Sequence, residues 1–222
     1  MKKTVVMMIV AIFLIGCSSL EPKRVVNGNV FASDSPKFKL KLDPSFIYLQ
    51  DLKYADTSKA RIESDIILSN KENSYVFVDS DGDNVKKGVV ITLAKTSGYW
   101  INNPYMDVKR TIEKGKCEID GNKFNYFTIP VTGATGRITE HITQKGYKLS
   151  PGLVRVHGRV PLGNRKYLIE VVYFEAFGDR YDENTVKVWW DAHKGYMSAK
   201  EKEILANFNN NSLSAFEILE TY

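Results

Sequence analysis

Cysteine is nearly missing from this chain of 222 residues, with only Cys17 and Cys117 present, and there are just 3 histidines. Two thiols allow at most one internal disulfide, so a disulfide-stapled scaffold is excluded. The zinc-protease pattern HExxH and the usual Cys/His spacings for zinc do not occur. Nucleophile signatures such as GxSxG and SxxK are missing as well. No repeat recurs at a fixed period, which excludes a solenoid. After the first sixteen residues no apolar run approaches the eighteen or so that a membrane-spanning helix needs. A basic stripe is lacking too, and a net charge of +5 is not the footprint of a nucleic-acid binder. Nothing in the sequence calls for a cofactor.

What is present begins at the amino terminus. Lys2 and Lys3 precede an uncharged stretch from Thr4 to Ile15, and Leu14-Ile15-Gly16-Cys17 is followed at once by Ser18, Ser19, Glu21, Lys23 and Arg24. Twelve residues of helix rise only about 18 Å, against a hydrocarbon core of about 30 Å, so the pattern predicts an export signal and not a span. Leu14-Ile15-Gly16-Cys17 resembles the lipobox of bacterial lipoproteins at all four positions. That resemblance implies removal of residues 1–16, a diacylglyceryl group on the Cys17 thiol, and acylation, for instance with palmitate, of the new amino group. Ser18 is similar to the residue found there in outer-membrane-sorted lipoproteins. The implied location is the periplasmic face of the outer membrane in a Gram-negative cell, and otherwise the outer face of the plasma membrane.

Loss of Lys2 and Lys3 with the signal lowers the charge from +5 to +3. Residues 17–35 read as the lipidated cysteine and a short tether, reaching at most about 60 Å when extended. Residues 36–222 read as a single domain, long enough for a sizeable core.

Period-two alternation at Phe38, Leu40 and Leu42 predicts a strand, and Ile66–Leu68 with Tyr75–Val78 around Ser69–Asn73 predicts a hairpin. Further strands are expected over Gly88–Leu93, Ile138–Thr143, Leu153–Val160 and Tyr167–Phe174. Asp120-Gly121-Asn122 between apolar runs is a strong hairpin signal. Asn103-Pro104 opens a helical spacing that ends near Lys114-Gly115. Val186, Trp189, Trp190 and His193 predict a second helix, the capping box Ser198/Glu201 a third, and Leu213, Phe216 and Leu219 a last helical turn. The expected class is α+β: about eight mainly antiparallel strands, one short central helix, and carboxy-terminal helices packed on one face. Phe38–Leu42, Pro44-Ser45-Phe46 and Ser214-Ala215-Phe216 loosely resemble PsbP-like α+β domains. The resemblance carries no specific motif and therefore no site residues.

Several residue sets invite chemistry. Asp79, Asp81 and Asp83 alternate as calcium ligands do, but Asn84 and Val90 stand where an EF-hand needs Gly and Glu, and an acidic turn is the plainer reading. His141, His157 and His193 are scattered. Cys117 reads as a half-buried strand residue. Gly133 to Arg137 is glycine-rich without the P-loop ending. Tyr99, Trp100 and Tyr105 around Asn102-Asn103-Pro104 are candidate contacts for a glycan or protein partner, or else packing on the short helix. Glu170 and Glu175 are an acid pair on one strand, but odd spacing sends them to opposite faces.

Three functions from different classes follow. The favoured one is a non-catalytic, membrane-anchored module that binds an envelope protein or wall component. The alternatives are an envelope hydrolase with an unfamiliar site and a carrier of a small apolar ligand, the last requiring an apolar cavity of about 300 Å³ or more.

Overall fold

A computed structural model describes residues 22–59, 67–102, 104, 105, 108, 111–132, 137–177 and 197–221. The lipobox, the glycine-rich 133–136 stretch and the expected helix over 182–195 lie outside the described residues. Among the described residues twelve strands and two helices follow one another: β1 (Arg24–Asn27), β2 (Val30–Asp34), β3 (Lys37–Leu42), β4 (Ile47–Lys59), β5 (Ile67–Asp81), β6 (Asn84–Thr96), β7 (Glu113–Ile119), β8 (Asn122–Val131), α1 (Arg137–Gln144), β9 (Lys148–Leu149), β10 (Gly152–Arg159), β11 (Tyr167–Ala176), α2 (Ala199–Ser214) and β12 (Phe216–Thr221). No helix among them is long and apolar enough to cross a membrane.

The strands form two sheets. A small one runs β1-β2-β3-β12, and a large one runs β4-β5-β6-β11-β10-β8-β7, with β9 a short parallel addition beside β6. This overturns the expected α+β layout with helices gathered on one face. The small sheet and α2 cover one face of the large sheet, while α1 lies on the other.

Alternation within the strands explains the arrangement. On the first face, Phe77, Val89, Ile91, Ile169, Val171 and Tyr173 meet Phe31, Phe38, Leu40, Leu42, Phe216 and Ile218 of the small sheet in one buried cluster. Phe31 and Tyr75 bring their ring centroids to 4.5 Å. On the second face, Val76, Val78, Val90 and Leu52 pack with Ile142 of α1. Strand β6 is therefore apolar at odd and even positions alike, the mark of a strand covered on both sides.

Four local expectations need correction. Ser69–Asn73 does not turn: β5 passes straight through it, paired with β4 on one side and β6 on the other. The stretch lacks Gly and Pro, and pairing on both edges outweighs its polar character. Ile138–Thr143 is helix and not strand, because Ile138 and Ile142 stand four apart and form a single apolar stripe. The last apolar residues are not a helical turn. Phe216 and Ile218 alternate inward with Leu219 exposed, and Phe216 pairs with Leu42. Lys114-Gly115, expected to end a helix, lies within β7.

Other signals hold. Asp120 and Gly121 both adopt positive φ, 49° and 74°, which makes the two-residue turn joining β7 to β8. Ser198 caps α2 by accepting from the Glu201 backbone N–H, and the Glu201 carboxylate accepts from Ser198 N–H at 2.6 Å.

Two glycines in the large sheet differ in what a methyl group would meet. At Gly152 an added Cβ falls 2.2 Å from the backbone oxygen of Glu175, which cannot swing away, whereas at Gly88 the nearest atom is 3.7 Å off. Gly152→Ala is expected to cost about 1–3 kcal/mol by overpacking. Gly88→Ala is expected to be neutral or to stabilise by about 0.4–1 kcal/mol through the unfolded chain. Urea midpoints at unchanged m-value measure both.

Candidate functional site: an apolar cleft floored by a carboxyl

The second face of the large sheet is only partly covered by α1, leaving a cleft of about 470 Å³ between helix and sheet. Its walls are mostly apolar: Val90, Val154, Val172 and Phe174 from the sheet, and Ile138 and Ile142 from the helix. A cavity of this size and lining is within the range of small-molecule sites.

Polar groups enter it from the floor. Strand pairing places Glu170 of β11 opposite Thr92 of β6, and Thr92 opposite Ser74 of β5, so the three form one row across the sheet. Ser74 and Thr92 share a hydroxyl–hydroxyl hydrogen bond of 2.9 Å. Glu72, two positions from Ser74 on β5, faces the same cleft. Thr139 and Arg137 contribute from α1, where Arg137 is exposed at the helix start.

Glu170 is held by a residue from the loop before β7. The Tyr105 hydroxyl donates to Glu170 Oε1 at 2.7 Å, and its ring packs edge-on to Phe127 at 4.9 Å. Gly158 makes room for it, since a Cβ there would fall 1.9 Å from the Tyr105 oxygen. Burial lifts the Glu170 carboxyl above its ordinary range; the Tyr105 hydrogen bond opposes this and the nearby Glu72 charge adds to it. Burial likewise raises the Tyr105 phenol, which stays a donor.

A second polar cluster sits on the opposite face, beneath α2. Cys117 Sγ lies 3.5 Å from His157 Nδ1, and Ser212 Oγ lies 3.2 Å from His157 Nε2. No local pattern in the sequence joins these three. A thiol beside an imidazole is the geometry of a cysteine nucleophile, but the electrostatics are wrong for one. Burial raises the Cys117 thiol, against a smaller lowering by Arg155, and burial drives His157 down to about 3, so both groups are neutral at pH 7. Nearby, Arg155 bonds Asn209 of α2 at 2.5 Å, pairs with Glu113 at 3.1 Å, and lies 4.0 Å over the Tyr126 ring. The cluster fastens α2 to the sheet.

The remaining sequence candidates are dispersed. Tyr99 is 72% exposed, Trp100 half-buried and Tyr105 buried at the cleft floor, so the three aromatics do not share one surface. Asp81 pairs with Lys86 at 3.1 Å and Asp83 with Lys148 at 2.5 Å, while Asp79 sits opposite Lys87 in the β5–β6 ladder. Among the described residues no group of three or more His, Cys, Asp or Glu is placed to hold a metal. Glu175 accepts from Tyr173 and from Asn211 of α2, on the face opposite Glu170, as the spacing requires. His141 lies on α1 and Cys17 outside the described residues. Glu72, Ser74 and Thr92 were not singled out in the sequence. The available signal was a polar residue interrupting each of three apolar strands.

No family model, no curated protein and no solved structure matches this chain. The functional reading rests on the cleft itself.

A raised carboxyl has a defined effect on stability. Its proton is bound more tightly in the folded state, so its contribution is full below the ordinary carboxyl range and is lost as pH rises through the folded value. Glu170→Gln, which keeps an acceptor for Tyr105, should leave stability near pH 4 little changed and raise it progressively toward pH 7. Urea midpoints across that range check this; a variant less stable at pH 7 than at pH 4, relative to wild type, contradicts it.

Proposed function

We propose that this chain is a non-catalytic envelope module, held at a membrane by acyl chains on Cys17, that carries a small, mainly apolar ligand in the cleft between α1 and the large sheet. The observation that carries the reading is the cleft: about 470 Å³ of mostly apolar space with a few polar groups converging on its floor. At roughly 30 Å³ for each water-sized volume, it takes a molecule of about fifteen non-hydrogen atoms.

The Leu14-Ile15-Gly16-Cys17 resemblance supports the anchor. Each buried methylene adds about 0.8 kcal/mol, so two or three acyl chains hold firmly without help from the domain's surface. The domain is then free to use its apolar cleft for cargo. A carrier, unlike a hydrolase, needs no activated nucleophile, which agrees with the neutral state of Cys117 and His157.

Filling the cleft tests the reading without breaking the fold. Gly88 lines the cleft and tolerates a Cβ, so Gly88→Ile should lower affinity for dodecanol about tenfold or more, equivalent to about 1.4 kcal/mol, with no loss of thermal stability. Calorimetric titration measures it, and a wild-type chain that takes up no dodecanol refutes the carrier function. Fractionation of Cys17→Ser beside wild type tests the tether: the variant is expected in the soluble fraction and wild type with the membrane.

A further inference from the structure

We infer that the ligand of this cleft is a single-chain amphiphile bearing a primary amine, its tail among the valines and isoleucines and its ammonium on the floor between Glu170 and Glu72. This rests on the carrier reading above and adds the chemistry of the head group.

The argument comes from where charge lies around the cleft. Every polar side chain that β5, β6 and β11 turn toward it is a carboxyl or a hydroxyl: Glu72, Ser74, Thr92 and Glu170. The basic residues of the same strands face elsewhere. Lys95 lies over the Tyr167 ring at 5.5 Å, and Lys86 reaches Asp81 in the β5–β6 turn. Among the described residues, the basic one that lines the cleft is Arg137, on α1 and exposed at the rim. The floor is thus rich in acceptors and in negative charge, with the cation at the mouth.

An amphiphile entering tail-first would leave Glu170 against methylenes. Entering with its head inward, it meets the floor. Tyr105 occupies Glu170 Oε1, leaving Oε2 for a ligand. A carboxylate head there would add a third carboxyl to two already close enough for Glu72 to raise the Glu170 proton affinity. A hydroxyl gains one neutral hydrogen bond. An ammonium supplies three donors and the opposite charge, and such charge-assisted bonds are about twice as strong as neutral ones. Its charge favours the ionised form of Glu170, so whatever proton the raised carboxyl still holds passes to solvent while the ammonium keeps its own three.

The test is a set of three titrations of the purified full-length chain, with dodecylamine, dodecanol and dodecanoate, each below its micelle concentration. The expected result is dodecylamine bound about tenfold more tightly than dodecanol, with a proton release that grows as the pH is lowered toward the range where Glu170 holds its proton, seen as a dependence of the binding heat on the buffer's ionisation enthalpy. Dodecanol should release none. In Glu170→Gln the amine should fall to the alcohol's level and its proton release should vanish. If amine and alcohol bind alike in the wild type, or if dodecanoate binds best, the head-group assignment is wrong while the carrier reading stands. If none of the three binds, both fall.

Discussion

Burial of the central strands on both faces is the constraint from which the rest of this molecule follows. Strands β6 and β11 run side by side in the large sheet, and each turns apolar residues to both sides. A sheet so built must be covered twice. Odd positions from Val89 to Leu93 are sealed by the small sheet and α2, in a cluster holding nine buried phenylalanines and tyrosines, among them Phe31, Phe77 and Tyr173. Among the described residues, even positions are met by the eight residues of α1 with Tyr147 and Leu149 just after it, too little to roof three long strands. A helix of that length spans about 12 Å. The uncovered remainder is the cleft, so the candidate site is a product of unequal cover and not of any special loop.

The same inequality sorts the polar groups. Under α2 the buried polar side chains find protein partners, His157 in Cys117 and Ser212, and Arg155 in Glu113 and Asn209 through its terminal nitrogens, though Arg155 Nε has none. Such groups are satisfied internally because leaving one unpaired costs about 1–3 kcal/mol. On the other face Ser74, Thr92 and Glu170 lie in a row that is only partly closed by protein contacts. A row of this kind in an apolar wall costs stability in the empty protein and becomes favourable when a complementary molecule completes it.

Legibility in the sequence tracks how local the cause is. The Asp120-Gly121 turn, the Ser198/Glu201 box and the Phe38–Leu42 alternation are settled within a few residues, and the structure agrees with each. Ser69–Asn73 misleads because its fate is decided by partners on β4 and β6, and Ile138–Thr143 because β-branched residues mask a four-residue spacing. Gathering the helices on one face was wrong for a similar reason, since which face a helix covers depends on contacts distant along the chain. The site was half visible. Tyr105 and Glu170 both drew attention, but for unrelated reasons, and their bond spans 65 residues. No local pattern announces that a tyrosine after one strand will reach a glutamate on another, through a gap that Gly158 leaves open.

The last strand is an edge strand of the small sheet, laid against β3 near the start of the domain. A chain threaded outward from its amino terminus therefore presents Phe31, Phe38 and Leu40 long before Phe216 and Ile218 arrive to flank them. Until then the small sheet is a three-stranded meander with an open edge and an unsheltered greasy side. Locking of the small sheet thus waits on β12: the first hairpins to emerge are among the last to be held, and whatever escorts the nascent molecule must shield them in the interval.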